Sequence, residues 1–151
     1  MSRGEAKEYM ERYFATFHGV REYMDRVVAQ AKENGYVSTL MGRRRWLPEL
    51  KSSNFNLRSF GERVALNMPI QGTAADVIKL AMIRVWKAMK EAGLEAKLVL
   101  QVHDELIVEC PEGETEQVKE LLTREMEGVV DYAVPMRADS AAGKSWGEAK
   151  G

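Results

Sequence analysis

Apolar residues recur at three- and four-residue steps from Ala6 through Tyr9, Met10, Tyr13 and Phe14 to Phe17, which predicts a helix with one apolar face. Ser2 followed by Glu5 has the spacing of a capping box at its start. His18-Gly19 is the expected break. A second helix follows, with Val20, Tyr23, Met24, Val27, Val28 and Ala31 on its buried side and Gly35 placed to end it. The expected result is two antiparallel helices joined by a short turn. Tyr36–Leu40 and Trp46–Leu50 then read as short strands around Met41-Gly42-Arg43, and Pro48 restricts the second to an edge.

Residues 51–56 form a polar loop in this reading. The helical period returns from Leu57 to Asn67, where Pro69 is expected to interrupt it. Thr73 is expected to cap a new long helix with Val77, Ile78, Ala81, Met82, Val85, Trp86 and Met89 in its stripe, ending at Gly93. From Leu98 to Cys110, two β-branched apolar runs flank His103-Asp104-Glu105, which predicts a tight hairpin. Residues 115–129 are again helical, with Val118, Leu121, Leu122, Met126 and Val129 inward. The alternation of Val134, Met136 and Ala138 predicts a last strand, and Trp146 lies in a Gly-rich tail. The fold class is α+β: a small antiparallel sheet packed against long helices, with a helical hairpin at the N-terminus.

Composition narrows the classes. A chain of 151 residues buries roughly 70% of its unfolded surface, enough for a core. No stretch of about 18 apolar residues is present and the first residues lack an apolar run, so neither a membrane span nor a signal peptide is expected. Cys110 is the single cysteine, which excludes an internal disulfide and fits a cytoplasmic protein. A net charge of −1 argues against a strongly basic nucleic-acid module, yet the charges segregate. Arg43, Arg44 and Arg45 are consecutive, with Lys51, Arg58 and Arg63 following, whereas acidic residues gather between Glu105 and Glu127.

Three sets of residues could carry chemistry. His103, Asp104 and Glu105 interrupt an apolar strand pair, where adjacent carboxylates cost desolvation unless a divalent ion pairs them. A solvated turn explains the same residues. Neighbouring strand residues point to opposite faces, so Asp104 and Glu105 would share one ion only across a sharp bend. A two-metal site needs at least two converging carboxylates, and Asp139 is the only loose second aspartate. Next, four-residue spacing puts Arg63, Asn67 and Gln71 on one helix face, suited to a nucleic-acid backbone or base edges, or simply to solvent. The kink at Pro69 and the flexible Gly72 suggest a close-fitting ligand there. Last, Arg43-Arg44-Arg45 with Trp46 suits phosphate and a stacked base, or a solvated loop.

Together the three segments resemble the family A DNA polymerases. Gln101-Val102-His103-Asp104-Glu105-Leu106 is similar to that family's third signature motif, and Gly42-Arg43-Arg44-Arg45-Trp46-Leu47-Pro48 to its Gly-Arg-Arg hairpin. The stretch from Glu62-Arg63 through Asn67-Met68-Pro69-Ile70-Gln71-Gly72-Thr73-Ala74-Ala75-Asp76 resembles its palm helix. The resemblance spans essentially the whole chain, in order. It implies that residues 1–35 are the distal part of the fingers and residues 36–151 the C-terminal part of the palm, an incomplete palm and fingers. It implies that Asp104 binds the catalytic magnesium ions, that Glu105 tunes the same site less critically, and that His103 lies near the primer 3′ terminus. Arg63, Asn67 and Gln71 would contact template and primer, with Arg43 and Arg44 near the DNA backbone. Primer–template DNA and deoxynucleoside triphosphates are the implied partners, and two magnesium ions the implied cofactor.

The family's Asp-Tyr-Ser motif, source of the other metal aspartate, is absent from these residues, as is the fingers helix whose Arg, Lys and Tyr grip the triphosphate. The resemblance therefore implies a truncated, split or excised portion, inactive alone and completed by the missing N-terminal part of the polymerase. A non-catalytic DNA-binding fragment is the rival. A palm piece of a single-subunit RNA polymerase is another, disfavoured by Glu105 after His-Asp.

Overall fold

In the computed structural model, which describes residues 2–150, local sequence signals set most element ends. Helix α1, Arg3–Thr16, begins with the expected reciprocal cap: Ser2 Oγ accepts from the Glu5 amide at 3.3 Å, and the Ser2 amide donates to Glu5 Oε2 at 2.6 Å. The break falls at Phe17, not at His18-Gly19, which instead open helix α2, His18–Asn34. The apolar face of α1 is not core: none of its residues is buried, and Tyr9, Met10, Tyr13 and Phe17 are exposed. Its rings pack on one another instead, Tyr13 lying 5.0 Å from Phe17 and 5.4 Å from Phe14. Gly35 ends α2 with φ 77°, its amide donating to Ala31.

The chain forms two compact units, Met1–Thr73 and Ala74–Gly151. The first holds α1, α2 and a hairpin of β1 (Tyr36–Ser38) and β2 (Arg44–Trp46), paired Tyr36 to Trp46 and Ser38 to Arg44. The second strand lies earlier than expected, sharing only Trp46 with the 46–50 reading, so Arg44 and Arg45 pair within the ladder. Pro48, with φ fixed and no amide proton, opens a 3-10 turn over Pro48–Lys51 that buries Leu50. Ala31, Val37, Leu47, Leu50 and Ala65 make the core here, with Val27, Val64 and Met68 against it. A Lys32–Glu62 ion pair at 2.6 Å joins α2 to the next helix.

That helix, α3, runs unbroken over Phe55–Glu91. Asn54 starts it, its Oδ1 accepting from the amides of Asn56 and Leu57. Pro69 does not interrupt α3, and Thr73 is not a cap. Proline costs the helix one amide donor, but the surroundings fix the backbone just beyond it. Thr73 Oγ1 donates back to the Pro69 carbonyl and accepts from the Leu40 amide at 3.0 Å. Gly72 lets the loop after β1 approach, since a Cβ there would lie 2.7 Å from Thr39 Cγ2. The glycine is needed there for packing.

In the second unit α3 ends as expected at Gly93, φ 67°, where the Leu94 amide donates to Met89. Strands β3 (Lys97–Val102) and β4 (Glu105–Glu109) form an antiparallel hairpin with a bulge at Val99. One face of it, with Leu98, Leu106 and Val108, packs on Val85, Met89 and Leu121, the last from α4 (Thr115–Glu127). Trp86, expected inward, is exposed beneath Lys90. The strand expected at Val134–Ala138 does not form. That segment hangs on α4 by side chains: Glu127 accepts from the Ala138 amide and Thr123 Oγ1 donates to Ser140. A short helix, α5 (Trp146–Lys150), follows. The architecture is α+β, as the pattern predicts. No described helix is long and apolar enough to cross a membrane.

Candidate nucleic-acid and metal site

In the first unit, four-residue spacing along α3 does what it predicts: Arg63, Asn67 and Gln71 are all exposed. Each step climbs about 6 Å of helix. None of the three makes a hydrogen bond or ion pair among the described residues, so their polar groups are uncommitted. The loop after β1 seats on α3 at Gly72 and Thr73, the two residues after Gln71. Its geometry is tight: Thr39 and Arg43 bond through their backbones at 2.9 Å, Thr39 Oγ1 accepts from the Arg43 amide at 3.1 Å, and Gly42 takes φ 85°. Arg43 and Arg44 are exposed beside it.

Strand alternation separates the consecutive arginines. Arg44 shares a face with Tyr36 and Trp46, its guanidinium 4.7 Å from the Tyr36 ring centre, and Trp46 meets Tyr36 edge-on at 5.1 Å. Arg45 pairs with Val37 on the opposite face. A groove of about 590 Å³ also runs along α1, lined by Ala6, Met10, Phe14 and Arg21 among others. None of the candidate site residues lines it.

In the second unit the tip of β3–β4 is a two-residue turn, because Val102 pairs directly with Glu105. Glu105 therefore belongs to β4, and only His103 and Asp104 occupy the turn. His103 has φ 53°, an uncommon conformation for a residue with a Cβ, and Gln101 Nε2 donates to its carbonyl at 2.6 Å. Asp104 is exposed and makes no hydrogen bond or ion pair among the described residues. Glu105 is committed: Lys150 Nζ lies 2.7 Å from its Oε1, and its Oε2 is enclosed without a hydrogen-bond partner among the described residues. Lys150 escaped the sequence reading because nothing in its spacing ties it to a residue 45 positions away. The Ser145-x-x-Glu148 spacing was the available sign of the helix that carries it.

A free carboxylate at a turn fits one oxygen donor for a hard divalent cation. It falls short of a full site: among the described residues no group of three or more His, Cys, Asp or Glu is placed to hold a metal. Asp139 is exposed, on the segment that hangs from α4.

The chain belongs to DNA polymerase family A, whose model matches residues 1–148. DNA polymerase I of Geobacillus stearothermophilus is 52% identical over 150 residues, covering 99% of this chain and 17% of the relative. That of Bacillus subtilis is 51% identical over the same length. Among solved structures, the POL domain of Pol1 from M. smegmatis, in complex with DNA primer–template and dNTP, matches with a TM-score of 0.96 and 50% identity. That match covers 100% of this chain and 27% of the other. The chain thus spans about a sixth of the length of the curated relatives it matches.

Proposed function

We propose that these residues form part of a DNA-directed DNA polymerase that adds deoxynucleotides to a primer 3′ end by a two-magnesium mechanism. The reading assigns residues 1–35 to the distal fingers and 36–151 to the C-terminal palm. The observation that carries it is the uncommitted Arg63–Asn67–Gln71 row on the exposed face of α3, in a chain whose solved neighbour holds primer–template and dNTP.

Each residue has a role its chemistry suits. Arg63 offers a planar fork of donors to phosphate, and Asn67 and Gln71 offer paired donors and acceptors to base edges or sugar. Arg43 and Arg44 hold the DNA backbone by charge. His103 stands by the primer terminus. Asp104 is the metal-binding carboxylate, with Glu105 beside it in a lesser role. Magnesium, when bound, supplies electrostatic stabilisation of charge on the transferred phosphoryl group. The second carboxylate and the cations that grip the triphosphate are not among these 151 residues, so the reading places them on polypeptide outside this sequence. Alone, the 151 residues do not polymerise.

The test is primer extension in magnesium with a family A N-terminal portion added, in a mixture shown by sedimentation to be assembled. Extension is expected from the mixture and from neither part. Asp104→Ala should lower it by on the order of 100-fold or more while DNA binding persists. A non-catalytic DNA-binding fragment predicts the opposite pattern: salt-sensitive primer–template binding and no extension from an assembled mixture.

A further inference from the structure

The β1–β2 hairpin has two unlike faces. Val37 turns one of them into the core of the first unit. The other carries Tyr36, Ser38, Arg44 and Trp46, none of which is buried. Trp46 is 66% exposed, an unusual placing for the largest apolar side chain. Its contact with Tyr36 is edge-on, 5.1 Å between ring centres and 61° between planes, which covers at most one face of the indole. The Tyr36 ring is itself covered, by the Arg44 guanidinium at 4.7 Å from its centre. The cluster therefore leaves an open indole next to a cation that is already held. Neither Arg44 nor Arg45 forms a side-chain ion pair or hydrogen bond among the described residues, so the positive charge of β2 is not neutralised within the chain. A cross-strand aromatic pair stabilises a short hairpin, and that role accounts for the Tyr36 contact. It does not account for the open ring or for the unpaired arginines.

We propose that Trp46, supported by Tyr36 and flanked by Arg44, is a stacking site for an unpaired base of single-stranded DNA. Residues two apart on a strand lie about 7 Å from one another, so one nucleotide can set its base on the indole and its phosphate at the guanidinium. In a duplex both faces of a base are covered by its neighbours. The ring therefore selects an unpaired base, whereas phosphate contacts alone do not separate single from double strands. Such a site tolerates any sequence, because every base has a π-face. The inference rests on the DNA-backbone role given to Arg43 and Arg44 above, and adds to it a group that responds to whether a base is paired.

Fluorescence anisotropy on the 151-residue chain tests this with two labelled strands, an oligothymidylate of about eight nucleotides and an abasic sugar-phosphate strand of the same length. The wild type should bind the thymidylate more tightly than the abasic strand. Trp46→Ala should weaken thymidylate binding on the order of tenfold and leave abasic binding unchanged. Trp46→Phe, which keeps a ring, should restore most of the loss. Arg44→Ala should weaken both strands and make the binding less dependent on salt. Thymidylate binding indifferent to Trp46→Ala would overturn the stacking site, and weakening of both strands by Arg44→Ala would still leave the backbone role standing. Equal weakening of both strands by Trp46→Ala, with Trp46→Phe restoring both, would show that the ring only supports the hairpin, and would also overturn the proposal. Binding of neither strand by the wild type would remove the backbone role, and the stacking site with it.

Discussion

The two hairpins reach the same shape by opposite means. Both reverse the chain through a residue of positive φ, but the first places Gly42 there and the second places His103. The first is short, three residues to a strand, and owes its position to anchors outside its ladder: Thr39 against Gly72, the Leu40 amide on Thr73, and Leu47 in the core. The second is longer and is seated by one apolar face of its own strands. A hairpin held from outside can carry charge along its strands, and Arg44 and Arg45 lie there. One held by its strand face has only its tip free for chemistry, and His103 and Asp104 lie there. A residue with a Cβ at positive φ costs free energy that a glycine would not. The second turn carries that cost, since a histidine stands where a glycine would relieve it.

The comparison breaks most sharply at the anchors. Leu47 is 1% exposed, and Leu47→Ala should cost about 2–5 kcal/mol in chemical denaturation, the range for a buried leucine. Gly72→Ala should come next, at about 1–3 kcal/mol, because Thr39 is buried and its hydroxyl is fixed on the Arg43 amide, so it cannot yield to a new methyl. If Gly72→Ala were neutral, the first hairpin would not depend on its seat on α3.

These anchors also mark the limit of what the sequence made legible. Signals confined to a few residues were readable: the Ser2–Glu5 box, Gly35 and Gly93 as helix ends, and a tight turn within His103-Asp104-Glu105, of which the structure gives Glu105 to β4. Each is a bond or a φ angle that neighbours in sequence decide. Pro69 misled because its local cost is real, but Thr73, Leu40 and Thr39 hold α3 through it, and none of the last two is near it in sequence. The alternation of Val134, Met136 and Ala138 misled for a related reason. A strand needs a partner, and here Glu127 and Thr123 of α4 take the segment first. The stripe on α1 shows that periodicity predicts a helix without saying what covers its face. Of the candidate site, the row on α3 and the acidic tip were legible from spacing and motif. Lys150 was not, since an ion pair between residues 105 and 150 leaves no periodic trace.

At the turns themselves the expected effects are smaller and of opposite sign. Gly42→Ala should destabilise by about 1–2 kcal/mol, the penalty of a Cβ in the left-handed region. His103→Gly should be neutral or stabilising by up to about 1 kcal/mol, since it relieves the same strain, while impairing primer extension in the assembled enzyme. Thermal denaturation of both variants checks the pair. Destabilisation by His103→Gly would mean that the histidine supports the turn, and the contrast between the hairpins would fall.

The smallest effect lies in the second unit, where α4 is tied to α3. Arg124 Nε donates to Glu125 Oε1 at 2.9 Å and Arg84 Nε to Oε2 at 3.1 Å, and Arg84 also donates to the Gly128 carbonyl. The Arg124 hydrogen bond first, then Arg84, holds the Glu125 carboxyl below its ordinary range despite partial burial, which acts the other way. A carboxyl whose folded pKa is depressed binds fewer protons folded than unfolded. Its contribution is therefore complete above the ordinary carboxylate pKa and is lost as pH falls through the lowered folded value. Both arginines are substantially exposed, so the effect should stay below about 1 kcal/mol. Denaturation of wild type and Glu125→Gln between pH 7 and strongly acid conditions should show a gap at pH 7 that closes on acidification. A gap constant with pH would show that Glu125 holds the helices by packing rather than by charge.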